Sequence, residues 1–192
     1  MLDVEDERVA TAAGIRVRHC DPVIHGVLFA WLDSANSRHE FEPELSRCAR
    51  IISAYLLAES EPRSVNLAGR SGERSPGMMQ LAFLKVPSRI SVDEWFNVWR
   101  GDHTKVALDL QSTFLYRQNL VVRCLTSHDP GFSAIVEEGF PEAAMSSREA
   151  YFAAKDATEL AARAAAMWES SKRFIDFADL DVLPTSEYVW SA

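Results

Sequence analysis

The chain has 192 residues, 47% of them hydrophobic, and a formal net charge of −8. That is enough apolar material for one globular domain or two small ones, and the charge has the wrong sign for a nucleic-acid footprint, which needs a basic patch. No apolar run approaches the ~20 residues of a membrane span, and the three widely spaced cysteines, Cys20, Cys48 and Cys124, form no CxxC pair and read as free thiols of a cytoplasmic protein.

The opening MLDVEDERVA is acidic and has no apolar run, so a secretory signal is not expected there. Residues 1–13 read as a short acidic helix or a frayed start. From Ile15 to Val23, Ile15, Val17 and His19 alternate with Arg16, Arg18 and Cys20, which predicts a half-buried strand. His25 to Leu32 predicts a second strand, and Asp33 to Glu42 a polar loop. Pro43 suits the first turn of a helix, and Leu45, Cys48, Ile51, Ile52, Tyr55 and Leu56 continue a helical stripe to about Glu59. Val65 to Leu67 predicts a short strand, and SGERSPG at 71–77 a linker.

The apolar run at 78–86 predicts a strand. Ser91 with Glu94 three residues on has capping-box spacing, so a helix is expected through Gln111. Trp95, Trp99 and His103 follow at steps of four and share one stripe of that helix. Strands are then predicted at 114–125 and 132–138. Capping-box spacings at Ser146 and Asp156 predict helices at 147–154 and 157–173, and a last strand lies within 183–190. The order β-α-β-β-α-β is that of a ferredoxin-like unit. The first half reads α-β-β-α-β, the same order without its first strand, so an internal repeat is expected.

DEWFNVWRGDHTKVALDL, followed by FLYRQNLV, resembles the EthD family of small dimeric α+β barrel proteins. In that family a helix carries a Trp and His four apart, met here by Trp99 and His103. A Tyr-x-Gln-Asn run in the next strand is met by Tyr116, Gln118 and Asn119. SKRFIDFADLDVLPTSEYVW resembles the family's ending, and GIRVRHCDPVIHGVLFAWLDS a decayed copy of its strand-turn-strand. The resemblance covers about residues 78–190 well and 14–60 weakly. Gly101 in mid-helix, and Thr104-Lys105 after the histidine, depart from the pattern. The resemblance implies an α+β fold of two ferredoxin-like βαββαβ-type halves forming an α+β barrel, the first half (1–70) degenerate and the second (78–192) complete. It also implies cofactor-free chemistry on aromatic or polyketide-like compounds. The resemblance also leaves a haem possible, with His103 as its axial ligand, but nothing in this sequence requires one.

His103 is the first acid–base candidate, because imidazole titrates near neutrality. Glu137 or Glu138 from another strand would orient it. The plainer role for His103 is a hydrogen bond to a carbonyl at the end of its stripe. Trp95 and Trp99 either wall a substrate pocket or pack as core. Tyr116 can donate to a substrate oxyanion, and Asn119 lies on the opposite strand face, so only one of them faces a cavity. Glu137 and Glu138 alternate, and the inward one needs a partner such as Arg117 or Arg123. Arg18 and His25 would serve a site in the first half. The five histidines show no metal-ligand spacing. The expected function is a small cofactor-independent lyase or isomerase acting on a small-molecule substrate through His103, Tyr116 and Glu137, as a homodimer. The alternative is a non-catalytic small-molecule-binding or accessory protein.

Overall fold

A computed structural model describes residues 1–65 and 71–190. Its centre is a curled, wholly antiparallel sheet of seven strands with helices packed on one face, an α+β arrangement. The strands are β1 (Leu2–Val4), β2 (Gly26–Leu28), β3 (Tyr55–Arg63), β4 (Met78–Leu84), β5 (Leu115–Cys124), β6 (Ala134–Phe140) and β7 (Asp181–Tyr188). They lie in the order β2-β1-β7-β4-β6-β5-β3. Four central strands thus come from residues 78–190, and the strands of the first 65 residues extend the sheet at both edges. No described helix is long and apolar enough to cross a membrane.

Alternation along the strands separates two cores. Ala82, Leu84, Tyr116, Val136 and Val182 face the helices, with Trp95, Trp99, Ala107 and Phe174. Leu81, Phe83, Ile135 and Leu183 face the other way, under Met1, Phe29 and Phe132. The central strands are buried on both faces, which is why their sequences are long apolar runs.

The second part of the chain folds largely as its patterns dictate. Ser91 caps its helix by accepting from the Glu94 amide, and Asp156 caps α5 (Ala157–Ser171) by accepting from the Glu159 amide. The helix expected at 91–111 is interrupted, however. It runs as α2 (Val92–Asn97), a π-helical turn (Val98–His103) and α3 (Thr104–Leu110). The Thr104 amide reaches back five residues to the Trp99 carbonyl, which also accepts from the Thr104 hydroxyl. Gly101 sits in this wide turn, where its poor helix propensity costs little.

The first part departs from expectation. No strand spans Ile15–Val23. Residues Glu7–Ile15 form a 3-10 helix capped by Asp6, and only Val17 bridges to a strand residue, Val182. The strand expected at His25–Leu32 is limited to β2, whose partner is β1 rather than 15–23. The loop at 33–42 holds a 3-10 turn, Ala35–Glu40. The helix expected from Pro43 to Glu59 stops at Cys48 as α1 (Glu42–Cys48), and Tyr55–Arg63 is strand β3 instead. Pairing with β5 from Tyr55 to Arg63 gives this segment a backbone ladder and half-buries Tyr55 and Leu57 against the second core. A seven-residue helix offers no comparable gain, so tertiary pairing overrides the helical stripe. Among the described residues the first part therefore does not follow the expected α-β-β-α-β order. Of the strand expected at Val65–Leu67, Asn66 and Leu67 lie outside the described residues.

Gly77 illustrates how the 71–77 segment enters β4. Its φ is +80°, and a Cβ there would run into the Phe140 carbonyl oxygen on β6. Gly77→Ala should lower the melting temperature clearly, since the left-handed cost of ~1–2 kcal/mol adds to a backbone clash. A thermal melt checks this.

Candidate active site

The helix face holds most of the residues that the stripe brings forward, and they serve packing. Trp95 and Trp99 are fully buried, with ring centroids 4.8 Å apart. His103 is buried too. Its Nδ1 lies 2.9 Å from the Ser170 hydroxyl on α5, and its ring packs 4.6 Å from Phe174. Burial, with a smaller push from Arg173, lowers its pKa to about 4, so it is neutral at physiological pH. Among the described residues no hydrogen bond joins it to Tyr116, Asn119, Glu137 or Glu138. The pocket expected beside His103 is occupied by α5 and Phe174.

Tyr116 also faces the helices, opposite Glu138 in the β5–β6 ladder. Burial and then the Glu138 charge raise its pKa, so it stays a neutral phenol. Glu138 accepts from the Gln80 side chain at 2.6 Å, Tyr151 (on α4, Arg148–Tyr151) donates to Gln80, and Gln111 donates to Tyr151. Burial pushes Glu138 up to about 7 from 4.5, with the Gln80 bond working against the shift. A folded value above the unfolded one means that stability is fully present below pH 4.5 and is lost as pH rises through 7. Glu138→Gln should remove that loss. It is expected to stabilise the protein by on the order of 3 kcal/mol at pH 8 and to change little at pH 4, as denaturant titration at the two pH values would measure.

Glu137 points to the opposite face, as the alternation requires. It is fully buried, accepts from Asn119 Nδ2 at 2.7 Å, and accepts from Arg117 Nη1 at 3.2 Å. Burial pushes its pKa up to about 7, while Arg117 and Asn119 restrain the rise. Arg117 also pairs with Glu61 on β3 at 2.9 Å and lies 3.5 Å from Glu187 on β7. Glu187 accepts from the Ser75 hydroxyl at 2.5 Å, and Asp3 on β1 accepts from the Thr185 hydroxyl at 3.1 Å. Oxygens of Asp3, Glu137 and Glu187 lie within 4.8 Å of one another, a spacing that also suits a metal ion. Here the Arg117 guanidinium already brings positive charge among them.

This constellation unites Glu137 and Asn119 from the sequence candidates, and leaves the others outside it. Arg18 pairs with Glu5 at 2.5 Å near the surface, and the exposed His25 takes part through its backbone carbonyl, which accepts from the Glu5 amide. Arg117 figured in the sequence only as a counter-ion. Glu187 was not singled out, although the alternation Leu183, Thr185, Glu187 puts it on one strand face with a core leucine. Asp3 carried no signal, because the acidic opening read as helix.

The face is covered by Met1, Phe29, Ile24 and Val27. A crevice nearby, lined by Arg18, Ile24, Phe83, Asp181 and Leu183 but by none of the clustered carboxylates, holds about 10 Å³, about one water. What the arrangement offers chemically is a dry carboxyl that titrates near neutrality, held by an amide and a guanidinium. No family model matches the chain, and no curated protein matches it as a relative.

Proposed function

We propose that the protein is a small acid–base enzyme of the lyase or isomerase type, with Glu137 rather than His103 as the proton-transfer group. The observation that carries this is the buried Glu137 carboxyl between Asn119 and Arg117, pushed up to about 7. A carboxyl poised there takes a proton from carbon and returns it with little waste of driving force. Asn119 fixes the carboxyl's orientation, and Arg117 can meet an anionic substrate oxygen. Resemblance to the EthD family supports an aromatic or polyketide-like acid, lactone or ketone as substrate. The strand order β7-β4-β6-β5 and the β-α-β-β-α-β succession support reading 78–190 as a ferredoxin-like unit. A homodimer belongs to the same reading, and sedimentation velocity tests it.

A panel of such acids, lactones and ketones incubated in D₂O tests the chemistry. Catalysed incorporation of deuterium at carbon is expected. Its rate should fall as pH drops through about 7, because protonated Glu137 is no base. The second reading, a non-catalytic binding or accessory protein, is favoured by the narrowness of the crevice, about 10 Å³, and by the bond that His103 makes to Ser170. Binding of panel members without any exchange would select it.

A further inference from the structure

Proton-transfer enzymes of this kind need an acid as well as a base, and the hydrogen count of the covered face points to one. Asp3 and Glu187 stand directly opposite in the β1–β7 ladder, both fully buried. Two carboxylates facing each other across an antiparallel pair repel. Each has one oxygen without a hydrogen-bond donor, Asp3 Oδ2 and Glu187 Oε1. Thr185 sharpens the point. Its hydroxyl lies 3.1 Å from Asp3 Oδ1 and 3.2 Å from the Met79 carbonyl; the second contact requires it to donate, and the first does so when Asp3 is ionised. A hydroxyl has one hydrogen. A proton on Asp3 Oδ1 would let both contacts form as full hydrogen bonds, with Asp3 donating to Thr185 and Thr185 donating to Met79, whereas an ionised Asp3 leaves the single hydrogen shared between them or given to one. A proton on Oδ2 instead would relieve the repulsion from Glu187, whose Oε1 has only the Arg117 Nη1 contact at 3.5 Å. Either placement makes Asp3 a neutral acid.

We infer that Asp3 is the acid of this site, a protonated carboxyl that hands its hydrogen to the substrate oxygen while Glu137 takes one from the substrate carbon. This rests on the acid–base reading of Glu137. The substrate C–H bond breaks as the Glu137 O–H bond forms. That electron pair becomes the new C=C bond, and the carbonyl π pair moves onto oxygen. The oxygen takes the Asp3 proton, leaving the Asp3 carboxylate beside Arg117. Return of a proton from Glu137 to the same carbon, or to the γ-carbon where the substrate carries a β,γ double bond that makes the enol a dienol, and of the hydroxyl proton to Asp3, restores both groups. The charged groups around Asp3 are Glu187 opposite it, Glu137 on β6, Arg117 on β5 and the Met1 amino group. Burial, then the charges of Glu137 and Glu187, hold the Asp3 proton well above the usual carboxylate range, with Thr185 and Arg117 opposing. Glu137, restrained by Arg117 and Asn119, loses its proton first, so the environments separate acid from base.

Infrared spectra of the wild type, taken about two pH units above the Glu137 value, should contain the carbonyl band of a neutral carboxylic acid. Carboxyl-¹³C aspartate should shift that band, and Asp3→Asn should lack it. Asp3→Asn should also lower deuterium incorporation ~10²–10⁴-fold, with an unchanged circular dichroism spectrum. A wild-type band that the aspartate label leaves in place overturns the proposal even if the variant fails to fold. Full exchange in Asp3→Asn, with exchange lost in Glu137→Gln, overturns Asp3 alone; full exchange in both overturns the reading beneath it. Loss of the band on adding Mg²⁺, with stabilisation of the wild type but not of Asp3→Asn, would assign the cluster to a cation and end the acid role.

Discussion

Glu137→Gln is expected to lose deuterium exchange by ~10²–10⁴, the usual worth of a general base, while remaining folded. Glutamine keeps the shape and still accepts from Asn119 through its carbonyl. It cannot take a proton. The substitution separates chemistry from stability for a physical reason. Burial of the Glu137 carboxyl raises its folded value from 4.5 to about 7. The sign is that of Glu138: stability is present below pH 4.5 and falls as pH rises through 7. The neutral amide does not suffer this loss, although Arg117 then faces one carboxylate fewer. A variant that is inactive yet at least as stable at pH 8 would place Glu137 in function rather than in the core. Exchange at the wild-type rate would remove Glu137 from the chemistry.

His103→Ala should have the opposite signature. The imidazole is buried among Ser170, Phe174 and the π-helical turn. Its removal opens a cavity and leaves the Ser170 hydroxyl without its partner, which together cost about 2–5 kcal/mol. Deuterium exchange per folded molecule should be unchanged. The pH dependence carries a further mark. The folded value lies at about 4, below the unfolded 6.5, so the neutral ring favours the fold. Its contribution is fully present above pH 6.5 and is lost as pH falls through about 4. The alanine variant should lack that part of the acid sensitivity. Loss of exchange in a stable His103→Ala protein would return the histidine to the mechanism.

These two residues mark where local pattern stops informing. A step of four from Trp95 to Trp99 to His103 correctly placed three side chains on the buried side of a helix. Whether a buried imidazole meets a substrate or a serine depends on what packs against it, and α5 lies 67 positions along the chain from His103 to Ser170. The π-helical turn adds to this, because a step of four inside it advances by less than in an α-helix. Glu137 and Glu138 show the other side. Their opposite directions follow from the pleat alone, and the need for a partner follows from burying a charge.

The sequence by itself determined the strands from Met78 onward, the Ser91 and Asp156 caps, and the presence of an inward carboxylate on β6. Each of these rests on contacts within a few residues or on the polarity of one strand face. Only the tertiary structure decided that Tyr55–Arg63 is a strand, that Leu2–Val4 pairs with the far end of the chain, and that Asp3 stands opposite Glu187. Three-residue strands carry no periodicity to read, and a ladder between the second residue and Tyr188 is fixed by free energy gained across the whole sheet. The proposed acid therefore came from that ladder, while its base was already legible in the alternation of one strand.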